Sequence, residues 1–339
     1  MGNPVRFYGS GQPIELEEGG TLPANCSVEV TFRTYEERFF MRPSPAVNET
    51  ILGCFGRAQR RYPTLKIHVV SFLSDHGSFV CTPPNPMVLW SFMRDFLSTA
   101  GRRLNRQLGR KGVFWERRYR AIPIVDEESL ERCFAYCLLQ GTKENLVADV
   151  REWPGVNSVR ALTEDAPLVG RWRDHRREYE LCRQRRRKLD RAAARGRHVE
   201  LPPVPEQVDE IHVELAPLPH WEGLDPQVRR ARVTEIVDAD AATTAARHER
   251  DGTRPLGVAR LLEVSPFDRP AEPKRSPAPR CHASSPARRT GFDGAYRRHV
   301  DGMRGVVVRL EPELRRLGCP VGTSLPPLCR GPSAASTTE

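Results

Sequence analysis

From Ser27 the chain alternates, with Val28, Val30 and Phe32 apolar and the positions between them polar, the period-two signature of a half-buried strand. A helical spacing replaces it from Asn48 to Tyr62, where Ile51, Leu52, Phe55 and Ala58 share one face. The run Leu65 to Leu73 is β-branched and apolar. Beyond a turn at Ser74-Asp75-His76-Gly77, the segment Ser78 to Cys81 reads as its hairpin partner. After the break Pro83-Pro84-Asn85-Pro86 comes the clearest helix, Met87 to Leu108, with Leu89, Phe92, Met93, Phe96, Ala100 and Leu104 on one stripe. Ala121 to Val125 predicts a further strand. Asp126 then caps a helix that runs to Gln140 and stops at Gly141, turning Leu130, Phe134, Cys137 and Leu138 inward.

Past Leu162 the periodicity weakens. Arg171 to His198 predicts a solvated basic helix, Leu201 to Pro205 a Pro-rich linker, and Asp225 to Arg250 a helix with Val228, Val233, Ile236 and Val237 apolar. Pro266 to Arg289 is rich in Pro, Ser and Arg and predicts a stretch that does not pack. The expected organisation has a flexible start (1–20), a compact unit (21–165), a helical extension with basic and acidic parts (166–265), and a Pro/Arg-rich, largely disordered tail (266–339).

Charge sharpens this outline. Across 339 residues, 53 Lys+Arg stand against 43 Asp+Glu, a net charge of +10, and only five of the bases are lysine. Guanidinium groups grip phosphate in two-pronged fashion, so the balance favours nucleic acid or another polyanion as partner. A GC-rich coding bias would enrich arginine equally well. The excess also comes in blocks: residues 87–120 hold 9 bases and 2 acids, 171–198 hold 12 and 4, while 199–252 hold 5 and 12. Concentrated positive surfaces of this kind release counterions from a nucleic-acid backbone.

No basic start followed by an apolar run opens the chain, and no stretch reaches the roughly 18 apolar residues of a membrane helix. A soluble cytoplasmic protein with no membrane partner is the expectation. The nine cysteines are scattered without a CxxC pair, which supports neither a disulfide framework nor a zinc ribbon. Cys133 and Cys137, four apart, read as small apolar residues on a buried helix face, with metal sharing as the alternative. Arg94, Arg102, Arg103 and Arg106 line the polar face of helix 87–108. The following segment mixes Arg110, Lys111, Arg117, Arg118 and Arg120 with Phe114, Trp115 and Tyr119, a composition that suits stacking on unpaired bases or, equally, plugging a core.

Taken in order, FLSDHGSFV (72–80), SFM (91–93), GVFWERRYRAI (112–122), DEESLERCFAYCLLQGTKENLV (126–147) and EWPGVNSVRAL (152–162) resemble the REP-associated tyrosine transposases. These form the single-tyrosine branch of the HUH endonucleases. The resemblance spans roughly 135 residues and implies an α+β fold, a ferredoxin-like antiparallel sheet with packed helices. It implies metal-assisted attack by a tyrosine on single-strand DNA, with Mg²⁺ or Mn²⁺ held by paired histidines on one strand. Family members act on hairpin DNA as monomers or dimers, which leaves a homodimer open. In this chain the first metal position is His76, the second is Ser78, and the nucleophile position falls at Ser129. Tyr136, seven residues on and on the same helix face, is the substitute nucleophile to consider. Two lesions in one active site imply a DNA-transposition protein that binds single-stranded or stem-loop DNA without cutting it. The alternative is an active nickase using His76 and an unassigned nucleophile.

Overall fold

The computed structural model describes residues 26–270 and 279–298, with short pieces at 14–15, 21–22 and 301. Its centre is a four-stranded antiparallel sheet built from β1 (Val28–Arg33), β2 (Lys66–Phe72), β3 (His76–Thr82) and β4 (Arg120–Pro123) in the order β2-β3-β1-β4. Helix α1 (Pro45–Arg61) joins β1 to β2, and α2 (Pro86–Gln107) joins β3 to β4. This β-α-β-β-α-β path with the central pair β3-β1 is the ferredoxin-like arrangement. These two helices, and the one that follows β4, start where a side chain takes up an orphan amide: Ser44 accepts from Val47, Asn85 from Val88 and Asp126 from Ser129. Pro45 and Pro86 occupy first-turn positions, where the missing N–H costs nothing.

Strand alternation divides the sheet between two cores. Val28, Val30, Phe32, Phe79 and Cys81 face α1 and α2, where Phe55, Phe92 and Phe96 add edge-to-face ring contacts. Val69 and Val80 point the other way, under α3 (Glu127–Leu138), against Leu130, Cys133, Phe134 and Cys137. In β2 the register slips between Ile67 and Val69. That bulge at His68 explains why LKIHVVSFL does not alternate.

After α3 the chain makes a single turn, α4 (Gln140–Lys143), and a short α5 (Val159–Thr163). The extension then departs from the helical expectation. Leu168–Arg173 (β5) pairs antiparallel with Val208–Val213 (β6), and the pair lies across α1. The basic helix α6 is therefore shorter than its charge run, His175–Ala193, and it buries no residue. Helix α7 (Pro226–Asp251) begins at the cap Asp225, and its Val233 and Val237 join Leu218 and Trp221 in the core on α3. Buried Asp240 on α7 accepts from Thr142 and pairs with Lys143 at 2.7 Å, tying α7 to α4. A further short helix, α8 (Val258–Glu263), buries Leu261.

Part of the segment expected not to pack does so. Phe267 meets the Phe40 ring edge-on, and Cys281, Ala283, Phe292 and Ala295 are buried. His282 bridges Ile124 in parallel, its amide donating to Pro123 and its carbonyl accepting from Val125. The edge of β4 supplies unpaired backbone groups, and residues 281–283 satisfy them. The rest of the tail expected to be disordered, from residue 302 on, and most of the flexible start 1–20 lie outside the described residues.

Candidate nucleic-acid interface

The catalytic positions implied by the resemblance lie on the α3 side of the sheet, and they do not converge. His76 opens β3 and pairs through Nδ1 with Asp75 Oδ1 at 2.8 Å. Burial opposes charge on both groups, yet their mutual attraction outweighs it, holding His76 above its ordinary titration range and Asp75 below its own. Two residues along, Ser78 is completely buried and its Oγ lies 3.2 Å from Cys137 Sγ. Burial pushes the Cys137 thiol well up, so it stays protonated. One imidazole and one sealed hydroxyl do not fit a cation held by two imidazoles.

Ser129 sits in the first turn of α3, eight residues before Cys137, a rise of about 12 Å. Its amide is held by Asp126 and its Oγ accepts from Arg132 at 3.0 Å. Ser129 and the exposed Tyr136 line the same cavity, of about 450 Å³, together with Glu29, Cys133, Pro279 and residues 281–283; His76 is not part of it.

The predicted DNA-binding residues fall into three environments. Arg102, Arg103 and Arg106 on α2 line an open cleft of about 630 Å³ with Arg171, Arg173 and His175. Glu49 is the acidic residue among its described lining. Trp172 forms the floor, sandwiched between the guanidinium groups of Arg57 and Arg103 at 3.9 and 3.7 Å from its ring. Arg103 also donates to the Arg173 carbonyl at 2.7 Å, so it is half committed to structure, while Arg102 is exposed. Arg94 is apart from this cleft, paired with Asp95 and lying over Trp90.

In the aromatic-basic loop, the structure places the rings inward and most of the charges outward. Trp115 is half-buried, its indole donating to the Leu97 carbonyl at 2.8 Å and packing at right angles to Phe32. Tyr119 is buried. Arg110 lies 4.1 Å over the Phe40 ring and donates to Asn105 and Val113. Lys111, Arg117, Arg118 and Arg120 are exposed. The loop adjoins His76 through the end of β1: Glu116 donates to the Arg33 carbonyl, and Thr34 donates to that of Asp75.

Sequence reasoning missed the other half of the cleft. Arg171 and Arg173 were legible as part of a charge run, but not that a strand carries them to α2. It also missed His282, whose Nε2 stands 2.7 Å from Glu29 Oε2.

No family model and no curated protein matches the chain. Among solved structures, it is similar to a REP-associated tyrosine transposase bound to a REP hairpin. That alignment has 15% identity and a TM-score of 0.33, and covers 47% of this chain and 82% of that one. A transposase-assigned crystal structure from Deinococcus radiodurans R1 is also similar, with 12% identity and a TM-score of 0.26, covering 36% of this chain and 90% of that one. Among the described residues no helix is long and apolar enough to cross a membrane.

Proposed function

We propose that this chain is a transposase-like DNA-binding protein that holds single-stranded or stem-loop DNA by its backbone and does not cut it. The observation that carries the reading is the cleft where Arg102, Arg103, Arg106, Arg171 and Arg173 meet over a Trp172 floor. Arg173 pairs with Glu178 and Glu206, and Arg171 reaches Glu49 at 4.0 Å. The charge offered to a run of phosphates is therefore mainly that of Arg102, Arg103 and Arg106. The exposed bases of the 110–120 loop extend positive charge at the sheet end that carries His76. Ser78 and Ser129, both engaged in internal hydrogen bonds, support binding without cleavage.

The test incubates the full chain with labelled stem-loop DNA and Mg²⁺ or Mn²⁺, and splits the sample between a native and a denaturing gel. A shifted band with intact DNA is expected. Cleaved DNA or a covalent adduct would replace the reading with the nickase alternative. Absence of a shift at low salt would remove nucleic acid altogether.

A further inference from the structure

Three segments far apart in sequence deliver three different metal-ligating groups to one point. Glu29 comes from β1 on the α3 side of the sheet, Cys133 from the middle of α3, and His282 from the strand-like segment along β4. Their ligand atoms all lie within 4.8 Å of one another. Glu29 and Cys133 are buried, and His282 is held in place by backbone hydrogen bonds to Pro123 and Val125. We propose that Glu29, Cys133 and His282 form a zinc site that fastens residues 279–284 over the first turns of α3.

The donor set selects the ion. Thiolate and imidazole ligands suit Zn²⁺, whereas Mg²⁺ prefers oxygen donors in an octahedron. Ligand bonds of about 2.0 to 2.3 Å fit a cluster of this size after the Glu29–His282 contact, now 2.7 Å, opens by about 0.6 Å. Three protein ligands leave a fourth tetrahedral position for a water molecule, and the cavity of about 450 Å³ beside the cluster supplies the room. On binding, the thiol of Cys133 loses its proton to solvent and the metal–sulfur bond forms; no oxidant or reductant takes part. Because the ligand is the thiolate, affinity rises with pH.

The site accounts for an otherwise odd arrangement. Residues 279–298 are cut off from β4 by more than 150 residues of chain, yet they close the sheet edge beside Ser129, where Arg132 also donates to the Ala283 carbonyl. A zinc ion adds a cross-link between the body and this late segment.

The probe is Co²⁺ added to the full, metal-stripped chain. One equivalent produces a thiolate-to-cobalt absorption band and tetrahedral d–d bands, Zn²⁺ displaces it, and Mg²⁺ does not. Zn²⁺ raises the Tm and slows proteolytic removal of the 279–298 segment. Cys133→Ser and His282→Ala each weaken Zn²⁺ binding by more than about 100-fold, while Cys182→Ser, at an exposed cysteine on α6, leaves it unchanged. Circular dichroism of each variant separates loss of the ligand from loss of the fold, and Glu29→Gln, which keeps a hydrogen-bonding partner for His282, serves if another variant unfolds. Absence of the thiolate band in the folded chain, or its persistence in Cys133→Ser, overturns the site.

Discussion

Gly53 of α1 and Gly170 of β5 meet backbone to backbone: a β-carbon on Gly170 would stand 2.1 Å from the Gly53 amide nitrogen, and one on Gly53 would stand 2.2 Å from the Arg171 carbonyl oxygen. This contact seats the β5–β6 pair on α1, and it brings Arg171 and Arg173 to the arginines of α2. The cleft therefore depends on two residues without side chains.

Gly170→Ala must push β5 off α1. Overpacking of this kind costs about 1–3 kcal/mol, read as a lowered urea midpoint, and it weakens DNA binding through displacement of Arg171 and Arg173. A variant with unchanged stability and unchanged DNA affinity would separate the extension from the binding surface.

Arg102 and Arg106 are expected to touch phosphates, whereas Arg103 also stacks on Trp172. Replacing Arg102 and Arg106 together with Ala should weaken binding to all sequences alike. The slope of log K against log salt should flatten by about 1.4 on single strands, at 0.7 per phosphate contact. Arg103→Ala should in addition lower the Tm, because it strips one face of Trp172. An unaltered slope in the double variant removes this cleft from the interface.

Trp115 separates the two expectations held for the aromatic loop. Its indole hydrogen bond to Leu97 and its packing on Phe32 predict that Trp115→Ala costs about 3 kcal/mol of stability. Trp115→Phe, measured well below its Tm, should bind single strands nearly as well as the parent. A loss of about 1–3 kcal/mol in binding with stability intact would instead mark a stacking platform.

These particulars show which features the sequence makes legible. The central β-α-β-β-α-β unit can be read because each element turns one face inward, so its apolar residues keep a single period. Strand β5 escapes because only Gly170 and Trp172 are buried in it, between Val169, Arg171 and Arg173, and its charges merge with the helix that follows. His68 sits in a bulge, which breaks the alternation that would have marked its orientation. His282 lies 253 residues from Glu29, and no local pattern carries a contact of that length. Ser78 and Ser129 could be located by motif, but not that Ser78 of β3 packs against Cys137, two turns along α3 from Ser129, because motif order says nothing of distance.

His68 makes the fold acid-sensitive. It is fully buried, with Nδ1 3.0 Å from the Ala216 carbonyl and Nε2 2.8 Å from Thr82 Oγ1, which in turn lies 2.7 Å from Ser27 Oγ. Burial penalises the imidazolium and lowers its pKa from 6.5 to about 4, against the opposing pull of the Ala216 and Pro217 backbone. Below pH 6.5 the unfolded chain takes up a proton that the folded chain refuses, so stability falls as the pH drops from 6.5 to 4 and the loss levels off below that. The full effect is about 3 kcal/mol, at 1.36 kcal/mol for each pH unit. The Asp75–His76 pair does not mimic it: raised His76 loses its contribution as pH rises above 6.5, and lowered Asp75 loses its own only as pH falls below 3.8. Urea unfolding of the parent and His68→Gln at pH 4, 5, 6 and 7 isolates the histidine, because every other group titrates alike in both. The stability difference between the two should narrow toward pH 4, and a difference that stays constant across this range would place the imidazole in a solvated or charged state.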